Sequence, residues 1–146
     1  MDVRIVMSER LVNKFGLPAY ETLGSAGMDI RADKTMHVGP GDVVAIPTGI
    51  RLGIPEGWEM QVRSRSGLAL KHGLVVMNSP GTIDSDYRGE VMVLLYNSRD
   101  EGYTVWAGDR IAQMVLAPVH RVNWVPTEML DQTERGEGGL GSTGNK

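Results

Sequence analysis

Short strand-like segments, cut at regular intervals by glycine and proline, constrain this chain more than any other feature. They run over residues 3–7, 28–32, 43–50, 59–63, 74–77, 90–96, 103–106 and 111–118. Between them stand GPGD, GIPEGW, NSPGT and WAGD, where glycine supplies backbone angles closed to other residues and proline presets a turn. Many short strands joined by such corners predict an all-β fold, a barrel or jelly roll. In EVMVLLYN, Val91, Val93 and Leu95 point one way while Met92, Leu94 and Tyr96 point the other, so both faces are apolar. Such a strand needs cover on both sides, from a second sheet or from another subunit. Only SGLALKHG, from Ser66 to a closing Gly73, has a helical look.

The 146 residues include 19 glycines and 7 prolines against 41% hydrophobic residues, which describes one turn-rich globular domain with a real core. That domain is expected over residues 1–132, with a flexible glycine-rich segment over 133–146. RGEGGLGSTGNK has one large apolar residue, Leu140, and cannot bury enough surface to hold itself in place. Its 12 residues, fully extended, reach roughly 40 Å, far enough to cross onto a neighbouring subunit as a lid. A formal net charge of -3 argues against a general nucleic-acid or membrane-surface binder, so any phosphate contact must come from local arginines. The chain has no cysteine, hence no disulfide framework or thiol nucleophile, and no signal-like or bilayer-length run. It reads as soluble and cytoplasmic.

Several stretches carry groups suited to chemistry. GTIDSDYRGEV, residues 81–91, crowds Asp84, Asp86, Glu90, Tyr87 and Arg88 into a turn between apolar runs, which can hold a carboxylate in a fixed position. RSRSGLA offers Arg65, the Ser66 hydroxyl and free N–H groups at the start of the helix, a set that suits phosphate but also occurs at strand ends for structural reasons. Gln113 interrupts the apolar pattern of GDRIAQMV and needs a hydrogen-bond partner, either within the protein or on a ligand. Asp29, in SAGMDIRA, implies a pair with an arginine or a place near an active site. The three histidines, His37, His72 and His120, lack ligand spacing, so no protein metal cage is expected. A hard cation held by phosphate oxygens and water stays open.

In order, AGMDIRA, RSRSGLA, NSPGTIDSDYRGE, GDRIAQ and RGEGGLGSTG resemble the five motifs of the homotrimeric dUTP pyrophosphatases, over about residues 26–144. The resemblance implies a jelly-roll-like β barrel, a homotrimer with shared active sites, and Mg2+ bound to the substrate triphosphate. It implies hydrolysis of dUTP to dUMP and pyrophosphate, which limits uracil incorporation into DNA and supplies dUMP for dTMP synthesis. Asp84 takes the place of the general base that readies water for attack on the α-phosphorus. Arg65, Ser66, Gly67 and Gln113 meet the phosphates, and Arg135 arrives with the tail, which also carries Ser142 and Thr143. Asn78, Thr82, Ile83 and Met92 line the uracil end, and Tyr87 presses on the deoxyribose and excludes a 2′-hydroxyl. Asp29 is left as a group within reach of a metal-bound water. The dCTP deaminases share the fold, but they carry a proton-shuttling glutamate in the strand where this chain has Leu94. A nucleotide-binding regulator without catalysis would have lost the base or the arginines, and all are present.

One departure from the family pattern generates a test. The tail motif commonly carries an aromatic residue over the uracil, and here that position is Leu140. Stacking on a base is worth about 1–3 kcal/mol, and leucine gives it up. Leu140→Phe is therefore expected to lower KM or raise kcat in steady-state assays with dUTP; unchanged constants would show that this side chain does not lie on the base.

Overall fold

The computed structural model describes residues 1–139, which form antiparallel ladders wrapped around one core, with two helices of a single short run each. Strand β1 (Arg4–Met7) pairs with β5 (Ile50–Gly53), and β3 (Met36–Val38) with β10 (Tyr103–Val105). A third sheet has β9 (Met92–Asn97) between β4 (Val43–Pro47) and β7 (Leu74–Val76). The fourth runs β2 (Met28–Arg31), β11 (Arg110–Pro118), β6 (Trp58–Arg63), β8 (Gly81–Ile83) in that order. The inward faces supply a single apolar cluster that includes Ile30, Ile46, Ile50, Met60, Val93, Leu95 and Met114. This is the all-β barrel that the segment spacing predicts, and no helix among the described residues is long and apolar enough to cross a membrane.

The departures from the sequence reading have local causes. Segment 43–50 is two strands, because the chain turns at Thr48 and Gly49, where Gly49 takes φ +66°. Strand β9 begins at Met92 rather than at residue 90, since Glu90 turns its carboxylate back to accept a hydrogen bond from Gly49 N at 2.7 Å. Strands β3 and β8 are three residues each, too short to show alternation. Helix α1 (Glu9–Phe15) was not expected either; it buries only Leu11 and has no side-chain cap. Ser8 and Arg10 instead bind the Asp33 carboxylate, at 3.0 and 2.7 Å, which moors the helix to the loop after β2. Helix α2 (Ser66–His72) matches the expected helical stretch and ends on Gly73 in the left-handed region, φ +66°.

Strand β9 shows the two apolar faces expected of it. Val91, Val93 and Leu95 are fully buried. On the other side Met92, Leu94 and Tyr96 are joined in register by Pro47, Ala45 and Val43 of β4 and by Val75 of β7. This outer surface carries no charged side chain and keeps partial exposure, with Met92 at 39%. Past β11 the chain runs over 119–139 without helix or strand, and Trp124, Met129 and Leu130 are 84%, 84% and 85% exposed.

Two buried polar side chains fasten the corners. Asn97 donates to the carbonyls of Val38 and Glu101 and accepts from Arg99 N. Thr48, fully buried, donates to Val91 O at 2.6 Å and accepts from Ile50 N at 3.2 Å, while Val91 N donates to Ile50 O. The Thr48 hydroxyl thus ties the β4–β5 corner to the end of the acidic turn. Thr48→Val keeps the shape and removes the hydroxyl, stranding a buried carbonyl and a buried N–H. The expected cost is about 2–3 kcal/mol, read as a lower midpoint of chemical unfolding at fixed protein concentration. An unchanged midpoint would mean these backbone groups find other partners.

Candidate functional site

Apart from those over 133–146, the candidate site residues singled out in the sequence fall into two groups, one around the Arg63 end of β6 and one along β8, from Asn78 beside Gly81 to Asp84. At the first end, Gln113 on β11 faces Asp29 on β2 and Arg63 on β6. Its Nε2 donates to Ser64 O at 2.9 Å, so in this structure its partner is the protein itself. Arg65 follows directly. Its Nε lies 2.9 Å from Asp29 Oδ1, and its Nη1 donates to Arg110 O at 2.9 Å. The other oxygen, Asp29 Oδ2, lies 3.2 Å from Arg110 Nη1.

Asp29 therefore carries a cation on each oxygen, and Arg65 is held by Nε and Nη1 with Nη2 still to spend. The pair is half-buried, with side-chain exposures of 26% for Arg65 and 20% for Asp29, so its geometry is tighter than that of a solvated surface pair. A bulge makes the cluster possible. The β2–β11 register shifts between Arg110 and Ala112, and Arg110 pairs with Arg31. Without the extra residue Arg110 would point to the Ile30 face, whereas the bulge turns it to the face of Asp29 and Gln113. Both Ile111 and Ala112 stay in the core. Arg110 was not singled out in the sequence; its place beside Gln113 in GDRIAQ was the available signal.

Ser66 and Gly67 open α2, exposed, directly after Arg65. Their N–H groups precede the first intrahelical bond, which runs from Ala69 N to Arg65 O. This end of the molecule thus presents a guanidinium edge, a hydroxyl and unpaired N–H groups together, a surface made for anionic oxygen.

The second group sits around β8. Thr82 faces Gln61 and Ile83 faces Met60, with Thr82 exposed and Ile83 half-buried. Asn78 lies in the turn before β8, with Nδ2 3.0 Å from the point where a Cβ on Gly81 would stand. Asp84 leaves the strand exposed and forms no ion pair within 4.0 Å among the described residues. Its backbone is pinned, because Tyr87 N donates to Asp84 O at 3.2 Å. Arg88 Nη1 donates to the carbonyls of Ser85 and Tyr87 at 2.7 and 2.8 Å, and Tyr87 Oη donates to Glu90 O at 3.0 Å. Of the crowded acids, Glu90 is an anchor, while Asp84 and Asp86 are both exposed and free of ion pairs among the described residues, Asp84 being the one that directly follows β8. Met92, at the start of β9, lies on the apolar outer surface.

Within one chain Asp84 and Arg65 do not meet. Ile83 pairs with Met60, so Asp84 lies level with Glu59, and Arg65 is six positions further along the β6 path. At about 3.3 Å per residue the separation is roughly 20 Å, much longer than a triphosphate. Arg135 is exposed and, among the described residues, its side chain bonds within its own turn, Nε to Gly138 O at 2.7 Å. Leu140, Ser142 and Thr143 lie outside the described residues. Among the described residues no group of three or more histidines, acids or cysteines could hold a metal ion.

Comparison with known proteins gives this arrangement its context. A family profile described as dUTPase matches residues 13–144. The deoxyuridine 5'-triphosphate nucleotidohydrolase of Desulfotalea psychrophila is 57% identical over 137 residues, covering 92% of this chain and 91% of that protein. The protein of the same name from Anaplasma marginale is 52% identical, covering 92% and 95%. Among solved structures, the Staphylococcus bacteriophage 80alpha dUTPase G164S mutant with dUpNHpp superposes with a TM-score of 0.86 at 26% identity, covering 98% of both chains. Motif order, barrel and relatives agree, and the chain belongs to the dUTPase family.

Proposed function

We propose that dUTP is hydrolysed in sites assembled between copies of this chain, Asp84 coming from one copy and the Arg65 cluster from another. The reaction is that of the family: dUTP and water give dUMP and pyrophosphate. The observation that carries the shared-site reading is the roughly 20 Å that β6 puts between Asp84 and Arg65 within one chain. A second copy removes the gap. The outer surface around Met92, Leu94 and Tyr96 supports such assembly as a homotrimer, since it is an apolar sheet face that the single chain leaves open.

In the assembled site the chemistry needs one base and a cationic cradle. The Asp84 carboxylate takes a proton from a water whose oxygen forms a bond to the α-phosphorus. The bond from that phosphorus to the α,β-bridging oxygen breaks, and its electron pair leaves with pyrophosphate. Arg65 Nη2, the Ser66 hydroxyl and the Ser66 and Gly67 N–H groups take up the charge that spreads over the phosphate oxygens. Gln113, now bonded to Ser64 O, keeps its Oε1 and second N–H for ordering water or phosphate. Asn78, Thr82, Ile83 and Met92 line the uracil, and Tyr87 lies against the deoxyribose.

The segment over 133–146 acts as a lid that brings Arg135 to the outer phosphates, with Leu140, Ser142 and Thr143 beyond it. Its exposed Trp124, Met129 and Leu130 approach favours a course over another copy, where those side chains find cover. Mg2+ suits this site as an ion carried by triphosphate oxygens and water, because both oxygens of the nearest half-buried acid, Asp29, are already held by arginines. When bound, it neutralises part of the triphosphate charge. The formal net charge of -3 fits a small-molecule substrate rather than nucleic acid or membrane, in a cytoplasmic enzyme.

Two measurements test this reading. Asp84→Asn keeps the shape of the side chain and loses its basicity, so pyrophosphate release from dUTP should fall by about 10²–10⁴-fold in kcat with KM little changed. Turnover within a few-fold of the parent enzyme contradicts the role. Asp84→Asn and Arg65→Ala chains, each nearly inactive alone, should complement when co-expressed, because random mixing gives about a quarter of interchain sites two intact halves. Mixtures no more active than their components would place both residues in the same chain's site.

A further inference from the structure

We propose that Gly89 sets the sugar selectivity of the site by leaving the space in which the Tyr87 ring lies. The inference rests on the reading of Tyr87 as the sugar contact and adds what holds the ring there. Gly89 is not one of the glycines with positive φ, so backbone conformation does not demand it. Clearance does. A Cβ at position 89 would stand 2.3 Å from Tyr87 Oη, 2.5 Å from Cζ and 2.9 Å from Cε2. Unstrained carbon contacts lie at about 3.5–4.0 Å, so one of the two groups must move.

The surrounding bonds decide which. Arg88 Nη1 grips the carbonyls of Ser85 and Tyr87 on one side of the glycine. On the other side the Glu90 carboxylate accepts from Gly49 N at 2.7 Å, and Val91 is tied on both edges, to Ile50 O and to the buried Thr48 hydroxyl. The backbone is held at both ends, while the Tyr87 side chain is 44% exposed and has solvent to swing into. Among the described residues, the one bond that its ring gives up is that from Oη to Glu90 O. A methyl group at position 89 therefore displaces the ring outward and leaves the turn standing. A ring moved off the sugar opens room for a 2′-hydroxyl.

The test compares kcat/KM for dUTP and UTP in Gly89→Ala, Tyr87→Ala and the double variant, with Mg2+ present. Gly89→Ala should lower the dUTP-to-UTP preference at least tenfold. The double variant should match Tyr87→Ala alone, because with no ring to displace the methyl has nothing to act on. The proposal is overturned if Gly89→Ala keeps the preference while Tyr87→Ala loses it, or if the two single effects multiply in the double variant. Should Tyr87→Ala itself keep the preference, the sugar-contact reading fails and takes this inference with it, a result distinct from the other two. If Gly89→Ala does not fold, the double variant decides: restored folding supports a clash with the ring, and continued misfolding overturns it.

Discussion

Strand β11 pairs with β2 along one edge and with β6 along the other, and the whole Asp29, Arg65 and Gln113 cluster takes its position from that double register. Gln113 stands opposite Asp29 and Arg63 at once. A slip of one residue on either side would send Gln113, Asp29 or Arg63 to the opposite face. The bulge at Arg110 is a local exception that uses the same rule: one extra residue moves a guanidinium across the sheet while Ile111 and Ala112 remain in the core. Two arginines sharing one carboxylate repel each other less than two arginines alone. Asp29 thus makes it tolerable to hold them side by side, as the proposed binding of a polyanion requires.

The opposite end of the molecule is organised by a corner rather than by a strand. Thr48, Gly49 and Ile50 receive the chain as it leaves the acidic turn, through Thr48 Oγ1 to Val91 O, Gly49 N to Glu90 Oε1 and Val91 N to Ile50 O. Three bonds over three consecutive residues leave the turn little freedom. Asp84 and Tyr87 ride on it, one side chain free of ion pairs and one laid across a glycine. For the base role proposed for Asp84, being held in place before substrate arrives would remove an ordering cost from the reaction step.

Much of this was legible in the sequence because it rests on period and punctuation. The eight segments reappear as strands, the SGLALKHG helix forms, and EVMVLLYN has the two apolar faces that its alternation requires. Period says nothing about three-residue strands such as Met36–Val38, nor about a helix whose burial is a single leucine. It also cannot identify partners far apart in the chain. That Asp29 would pair with an arginine or lie near an active site followed from the cost of enclosing an acid, but that Arg110 joins Arg65 on it depends on a bulge that no composition reveals. The glycine at position 89 was equally silent, since a residue chosen for what it leaves empty has no pattern of its own.

The proposed shared site, whose halves lie roughly 20 Å apart in one chain, would couple catalysis to assembly. Each half can be rigid on its own account, one braced by Asp29 and the other by Thr48, without either chain alone forming a complete reaction site. In the proposed assembly the surface covered is the apolar face that includes Met92, so the contacts that bind copies together would also wall the proposed base pocket. Burial of that surface and closure of the pocket then depend on the same packing. A substitution on the outer face of β9 would disturb affinity for the nucleotide along with affinity between copies, and separating those effects requires varying protein concentration at fixed substrate.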